Sequence, residues 1–225
     1  MPNSLTIFDL DDTLLNGDTM ALWHQYLCDR QLIDDPITFL EQDNEFDKLY
    51  RAGQLDIQTY LHFSLEPLQH IDAATVDSMV QTFIEERVKP RLYSEADGLI
   101  HELQEHHHYL LVISATVDFI VRPVAQLLGI QNVLAVNVTR QHGCYTSQII
   151  GTPSFRDGKI IRLQQWLTDQ PWTPDELRFY TDSINDLPLL EQVDHPYVVN
   201  PAQTLLEIAQ KRNWTILDWN TTNTK

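Results

Sequence analysis

The chain has 225 residues, of which 43% are hydrophobic, and its 15 Lys and Arg against 32 Asp and Glu give a formal net charge of -17. This length suits one sizeable domain, or a domain with a smaller insertion, that buries a core without disulfides. Such an acidic surface excludes nucleic acid and anionic membranes as favoured partners. Because the first residues also lack the basic region of a signal peptide, we expect a cytoplasmic protein.

The first predicted element is a short buried strand over residues 4–9, which ends at an acidic cluster. The chain then becomes helical, because apolar residues recur at helical spacing and each stretch begins near Asp or Pro. These stretches cover residues 18–32, 36–53, 56–68 and 72–88. We therefore predict an all-helical insertion over residues 16–90, called here the helical segment, within a core made of residues 1–15 and 91–225.

After Pro90 the pattern alternates between helices and strands. Helices are predicted over 94–106, 118–129, from Gly158 onward, around 185–193 and over 202–212. Strands are predicted over 109–115, 132–138, 177–182 and 196–200, with a hairpin-like region over 138–152. This alternation predicts an α/β fold with a Rossmann-like parallel sheet and helices on both faces. The polar tail, residues 220–225, is expected to be frayed.

Polar side chains follow three of the predicted strands. Because ligands of open α/β sheets bind outside the carboxyl ends of the strands, these side chains are expected to converge at one edge. They are Asp9, Asp11 and Thr13 after the first strand, Ser114 and Thr116 after the second, with the apolar Ala115 between them, and Asp182, Asn185 and Asp186 after the fourth, together with Lys159 at a helix start.

The chemistry of this set points to phosphoryl transfer with a metal ion. Clustered carboxylates need a cation to stay ionised, and ligands that are all oxygen favour Mg²⁺. Asp9 is the predicted nucleophile on phosphorus, and Asp11 is the predicted acid and base. Lys159 and the Ser114 hydroxyl would stabilise the phosphoryl oxygens. The predicted metal ligands are Asp9, Asp11, Asp182 and Asp186, with Asp186 either binding the ion directly or orienting another group.

Four short motifs, in order, resemble those of the haloacid dehalogenase (HAD) superfamily. They are FDLDDTLL, VISAT, the GK pair at 158–159, and DSINDLPLL. The resemblance implies a HAD fold, and the helical segment resembles the C1 cap of the phosphoserine phosphatase-like subgroup. The stretch GTPSFRDGKI is similar to that subgroup, including members that act on histidinol phosphate. Thr181 departs from the pattern, since Gly is common there, and we interpret the position as carrying no chemistry.

Several residues have two interpretations. Asp18 matches a family position that contacts the substrate amine, but it also suits the N-cap of the first helix. Asn185 either orients Lys159 or caps the following helix. Ala115, Thr116 and Arg51 are predicted to bind substrate, whereas Trp23 and Tyr50 have the spacing of core residues. Thr13 is expected to hold its loop through hydrogen bonds.

The predicted function is that of a magnesium-dependent phosphomonoesterase with an aspartyl-phosphate intermediate. Its predicted substrate is a small amino-containing ester, histidinol phosphate first and phosphoserine second. The alternatives are a HAD phosphotransferase and a non-catalytic binding module. We expect a small-molecule phosphate ester as partner, and a monomer or homodimer.

Overall fold

A parallel sheet forms the centre of the molecule. The computed structural model describes residues 4–219, so the predicted tail over 220–225 lies outside the described residues. The strands are β1 (Ser4–Phe8), β2 (Tyr109–Val117), β3 (Asn132–Val136), β4 (Val138–Gln141), β5 (Cys144–Ile149), β6 (Glu176–Thr181), β7 (His195–Val199) and β8 (Thr215–Leu217). Within the described range, six of them form the sheet in the order β3-β2-β1-β6-β7-β8, and every neighbouring pair is parallel.

The sheet is covered on both faces, which explains why its inner strands are runs of apolar residues. Successive side chains of a strand point to opposite faces. Accordingly Phe8 joins one hydrophobic cluster, whereas Leu5 and Ile7 join the other. The sheet therefore separates two cores, and the predicted α/β fold class is confirmed.

Helices of the second half of the chain are divided between the two faces. They are α5 (Ser94–Glu105), α6 (Asp118–Leu127), α7 (Asp157–Thr168), α8 (Leu187–Leu190) and α9 (Gln203–Arg212). Buried residues of α5 and α6 belong to the cluster that contains Phe8. Those of α7, α8 and α9 belong to the cluster that contains Leu5.

Within residues 16–90 the structure places α1 (Thr19–Asp29), α2 (Pro36–Arg51), α3 (Ile57–Leu65) and α4 (Ala73–Phe83). Each of these helices has an Asp N-cap whose carboxylate accepts a hydrogen bond from the backbone N–H three residues later. The caps are Asp18, Asp35, Asp56 and Asp72. Such caps satisfy N–H groups that have no partner inside the helix. The division of the chain into a cap and a core stays a prediction.

A two-stranded antiparallel hairpin, β4 and β5, packs beside the helical segment. The Gln58 side-chain amide of α3 donates to the Ser147 carbonyl of β5 at 2.8 Å. Trp23 and Phe83 of the helical segment share one cluster with Val112 and Ile120. The helical segment is therefore held against the sheet and the hairpin by continuous apolar packing.

One strand is longer than predicted, and another was not predicted. Strand β2 continues to Val117, and its register with β3 shifts between Ile113 and Val117. Strand β8 was not predicted, because three residues with exposed or half-buried side chains show no periodic pattern. Among residues 4–219 no helix is both long and apolar enough to cross a membrane.

Candidate active site

The carboxyl ends of β1, β2 and β6 meet at one edge of the sheet, as predicted. Phe8 of β1 is in register with Val112 of β2 and Tyr180 of β6. The Asp9 backbone N–H donates to the Tyr180 carbonyl at 2.9 Å, so Asp9 leaves the sheet at a fixed point. Parallel pairing therefore brings together residues that are about a hundred or more positions apart in sequence.

Asp9 and Lys159 form a buried ion pair at the base of the site. The Lys159 Nζ atom is 2.7 Å from Asp9 Oδ1, and Lys159 is 2% exposed. Burial alone would lower the pKa of Lys159, but the Asp186 and Asp9 carboxylates outweigh it and raise that pKa, so the lysine is charged. Burial raises the pKa of Asp9 to about 7 against the opposing effect of Lys159. Additional positive charge near Asp9 would favour the ionised nucleophile.

Lys159 is directed inward by the tight turn before α7. A Cβ atom on Gly158 would lie 2.0 Å from the Pro153 carbonyl oxygen, so only glycine fits there. Arg156 has a φ of 52°, in the left-handed region, and its carbonyl accepts a hydrogen bond from the Lys159 N–H at 2.9 Å. The structure thus explains both residues of the GK pair. Gly158 is required by close backbone packing, and Lys159 supplies positive charge.

Asp186 connects Lys159 to Thr181. Its Oδ2 atom accepts hydrogen bonds from Lys159 Nζ at 2.7 Å and from the Thr181 hydroxyl at 2.7 Å. Our interpretation that the Thr181 position carries no chemistry is therefore incomplete, because a glycine could not supply this hydroxyl. The motif showed that Thr181 stands where glycine is common, but only the fold shows that its hydroxyl bonds Asp186.

Both carboxylate oxygens of Asp11 have protein partners. Oδ1 accepts from the Thr19 backbone N–H at 2.6 Å, and Oδ2 accepts from the Thr116 hydroxyl at 2.9 Å. Burial, with repulsion from Asp18 and Asp9, raises the pKa of Asp11 well above its usual range. The carboxyl is therefore oriented and disposed to carry a proton, as a general acid requires.

Asp182 lies next to the loop that follows β1. Its backbone N–H donates to the Thr13 hydroxyl at 3.0 Å, and that hydroxyl is 3.3 Å from Asp182 Oδ1. The expectation that Thr13 holds its loop through hydrogen bonds is confirmed. Burial and the nearby Asp9, Asp12 and Asp186 charges raise the pKa of Asp182 well above its usual range.

The excess of buried negative charge fits a hard cation. Within residues 4–219, no group of three or more His, Cys, Asp or Glu side chains is arranged to enclose an ion. Both oxygens of Asp11 accept hydrogen bonds, whereas the bonds described above engage one oxygen each of Asp9, Asp182 and Asp186. Of these three, Asp9 and Asp182 line the cavity described below and Asp186 does not. Asp9 and Asp182 are therefore the two carboxylates that fit best as ligands, and water and substrate oxygens would complete a magnesium shell.

Ser114, Ala115 and Thr116 lie where the register of β2 shifts. The Ser114 hydroxyl accepts a hydrogen bond from the Thr116 N–H at 3.0 Å and is buried. Ala115 and Thr116 line the cavity described next, whereas Ser114 does not. Bulges of this kind redirect side chains beside active sites.

A cavity of about 670 Å³ opens between the sheet edge and the helical segment. Asp9, Asp11 and Asp182 line it from the sheet side. The predicted substrate-binding residues Asp18, Ala115, Thr116, Asn185 and Arg51 all line it as well. A pocket of this volume is typical of sites for small molecules.

Asp18 caps α1 through a 2.8 Å hydrogen bond from the Ala21 N–H, while it also faces the cavity. Both interpretations of Asp18 are therefore compatible with the structure. Asn185 does neither of the two things expected of it, because its side chain bonds the Tyr50 carbonyl at 3.0 Å and Arg156 Nε at 3.3 Å. It connects α2 to the sheet edge, and Asp186 orients Lys159 instead.

Helical spacing predicted core packing for Trp23 and Tyr50. Trp23 is fully buried, as predicted, but Tyr50 lines the cavity. Its hydroxyl is 3.1 Å from the Ser183 hydroxyl oxygen. Residues Asp43, Phe46 and Tyr60 also line the cavity, and no motif indicated them.

The family profile for haloacid dehalogenase-like hydrolases matches residues 6–191. A histidinol-phosphatase from Neisseria meningitidis serogroup C (strain 8013) is 38% identical over 220 residues, covering 96% of this chain and 99% of that protein. A phosphoserine phosphatase, SerB1, from Mycobacterium tuberculosis is 22% identical over 94% of this chain and 70% of its own length.

Solved structures share the fold of this chain. A protein of unknown function from Bordetella pertussis Tohama I has a TM-score of 0.90 at 31% identity, covering 97% of this chain and all of that one. A phosphoserine phosphatase with a phospho-aspartyl intermediate analogue has a TM-score of 0.71 at 17% identity, covering 98% and 95%, and thus shares the fold. The chain belongs to the haloacid dehalogenase-like hydrolase family, and the predicted enzyme class, a phosphatase, is confirmed.

Proposed function

We propose that the protein is a magnesium-dependent phosphomonoesterase that hydrolyses a small amino-containing phosphate ester through an aspartyl-phosphate on Asp9. Histidinol phosphate is the first candidate substrate and phosphoserine the second. The observation that carries this proposal is the pairing of Asp9 with Lys159 at 2.7 Å at the base of a cavity whose Asp11 carboxyl is held by Thr19 and Thr116.

In the first step, an Asp9 carboxylate oxygen bonds to phosphorus while the bond between phosphorus and the ester oxygen breaks. Asp11 gives its proton to the departing oxygen, so the alcohol leaves neutral. Lys159 and the Ser114 hydroxyl, whose oxygen accepts from the Thr116 N–H, would stabilise the charge on the phosphoryl oxygens. Magnesium, held by Asp9 and Asp182, would supply further positive charge to the same oxygens.

In the second step, water attacks phosphorus and the bond to Asp9 breaks. Asp11, now ionised, accepts the proton of the attacking water. Inorganic phosphate leaves, and both carboxyl groups return to their starting states. One residue thus acts first as acid and then as base, which the two hydrogen bonds to its oxygens allow without a large movement.

Phosphate release from histidinol phosphate, phosphoserine and an uncharged aryl phosphate tests the proposal. We expect release in the presence of Mg²⁺, with water as the acceptor. The same reactions in the presence of added alcohols separate a hydrolase from a phosphotransferase. Transfer of most of the phosphoryl group to an alcohol at low concentration would show that the enzyme is a phosphotransferase.

A further inference from the structure

The lining of the cavity carries an excess of negative charge. Asp12, Asp18, Asp43 and Asp47 line the cavity in addition to Asp9, Asp11 and Asp182. Arg51 is the single Lys or Arg among the described residues that line the cavity. An organic group that enters therefore meets an environment that favours positive charge and repels a second anion.

Arg51 is already paired with an acid of its own helix. Its Nε atom donates to the two carboxylate oxygens of Asp47 at 3.0 and 2.8 Å. The pair is exposed, so it is weak on its own. However, a substrate carboxylate that opened the pair would then face the freed Asp47 carboxylate one turn away. Arg51 is thus poorly suited to hold a substrate carboxylate.

Asp43 contacts a buried histidine. His24 Nδ1 is 2.8 Å from Asp43 Oδ1, and the His24 side chain is fully buried. Among residues 4–219, neither ring nitrogen of His24 has a hydrogen-bond partner. The contact with Asp43 is therefore one of close approach without a hydrogen bond.

Aromatic side chains fix the orientation of His24. Phe39, Tyr60 and Phe63 meet its ring edge to face, with centroids 5.1, 6.2 and 5.6 Å away. Tyr60 and Phe46 also line the cavity beside Asp43. The Asp43 carboxylate is therefore presented on a rigid wall next to aromatic faces, which suits a flat or compact cation.

We propose that Asp43, positioned by His24, is a specificity-determining residue for phosphate esters whose organic part carries a positive charge and no carboxylate. This inference rests on the proposed function, since it concerns the same cavity. A phosphorylated amino alcohol with a cationic or hydrogen-bonding ring has the required chemistry, and a phosphorylated amino acid does not. Asp43 binds the distal positive group, and the Arg51–Asp47 pair disfavours a carboxylate.

The test compares kcat/KM for histidinol phosphate, phosphoserine and an uncharged aryl phosphate. Wild-type enzyme should prefer histidinol phosphate to phosphoserine. Asp43→Asn should lower kcat/KM for histidinol phosphate by about ten- to a hundredfold, which is typical of losing one charge-assisted contact, and should change the aryl phosphate by less than about threefold. Glu41→Gln is the matched control, since Glu41 is exposed on the same helix and does not line the cavity.

Asp47→Asn tests the inference through an expected increase in kcat/KM, for phosphoserine. It frees Arg51 from its acidic partner, so kcat/KM for phosphoserine should rise while that for histidinol phosphate falls or stays constant. His24→Asn should raise KM for histidinol phosphate while leaving kcat for the aryl phosphate unchanged. A purely structural role of His24 would instead lower activity on both substrates and the melting temperature together.

Two outcomes would overturn the inference. One is wild-type preference for phosphoserine over histidinol phosphate, and the other is equal loss on all three substrates in Asp43→Asn. In both cases hydrolysis of the aryl phosphate by wild-type enzyme would leave the proposed function intact. If wild-type enzyme released phosphate from none of the three, the proposed function would fail, and this inference with it.

Discussion

Asp186 Oδ2 accepts a hydrogen bond from Lys159 Nζ at 2.7 Å, and both side chains are 2% exposed. Lys159 also contacts Asp9, so the nucleophile and Asp186 share one ammonium group. Removing one member of a buried ion pair leaves the other charge without its partner, which is strongly unfavourable. The position of Lys159 against Asp9 therefore depends on Asp186, and through it on the Thr181 hydroxyl.

The first prediction distinguishes the two roles proposed for Asp186. Asp186→Asn should lower kcat by about ten- to a hundredfold, because Lys159 loses one of its two carboxylates. The magnesium concentration for half-maximal activity should stay nearly constant if Asp186 acts through Lys159. A magnesium titration of steady-state rates measures both quantities. A sharply increased magnesium requirement would instead make Asp186 a direct ligand. Thr181→Val, which removes only the hydroxyl, should have a smaller effect on kcat.

The second prediction concerns the nucleophile. Asp9→Asn keeps the side-chain shape but removes the attacking charge, while Asp186 still neutralises Lys159. Activity should vanish and the fold should survive, as circular dichroism and thermal unfolding would show. Residual activity above about a thousandth of the wild-type rate in a folded, uncontaminated sample would argue against covalent catalysis at Asp9.

The third prediction concerns the metal. Excess EDTA should abolish activity, and added Mg²⁺ should restore it. Ca²⁺ should restore it poorly, because its larger and looser coordination would misplace the phosphoryl group. Asp182→Ala should raise the magnesium requirement sharply, since it removes one of the two best-placed carboxylates. Full activity in excess EDTA, or an unchanged requirement in Asp182→Ala, would contradict the proposed site.

The fourth prediction concerns Gly158. In Gly158→Ala the new Cβ would meet the Pro153 carbonyl oxygen at 2.0 Å, so the first turn of α7 must move and take Lys159 with it. We expect a loss of about 1–3 kcal/mol in the free energy of unfolding and a marked fall in kcat. Gly98→Ala is the control. Apart from the nearby backbone of α5 and the adjoining residues, no atom of residues 4–219 lies within 4 Å of the added Cβ, so Gly98→Ala should stabilise by about 0.5–1 kcal/mol at unchanged activity.

The fifth prediction separates the two interpretations of Asp18. Asn is as good an N-cap as Asp, so Asp18→Asn should preserve α1 while removing the charge. If Asp18 binds the substrate amine, kcat/KM for histidinol phosphate should fall by about ten- to a hundredfold, and that for an uncharged aryl phosphate should hardly change. Asp35→Asn, at the cap of α2, is the control, since Asp35 does not line the cavity. Unchanged kcat/KM for both substrates would favour a capping role alone, because Asn retains the cap.

The sequence by itself determined the features that depend on neighbouring residues. The helices of the helical segment begin at Asp caps because a carboxylate reaches an N–H three residues away. The alternation of helices and strands after Pro90 predicted a parallel sheet with helices on both faces, and the residues after β1, β2 and β6 predicted a site at one edge of it. The order of the four motifs was sufficient for the family, because it is a property of the chain itself.

Only the tertiary structure decided which side chains act on one another. The contacts of Lys159 with Asp9 and of Asn185 with Tyr50 join positions more than a hundred residues apart. Asp43 and His24 also meet only because α1 and α2 pack together. Hydrophobic periodicity predicts which face of a helix or strand is buried, but it does not predict which residues that face contacts. The helical-segment side of the cavity is built from such contacts, and that is why the motifs indicated an amine-binding position at Asp18 but not the contact between Asp43 and His24.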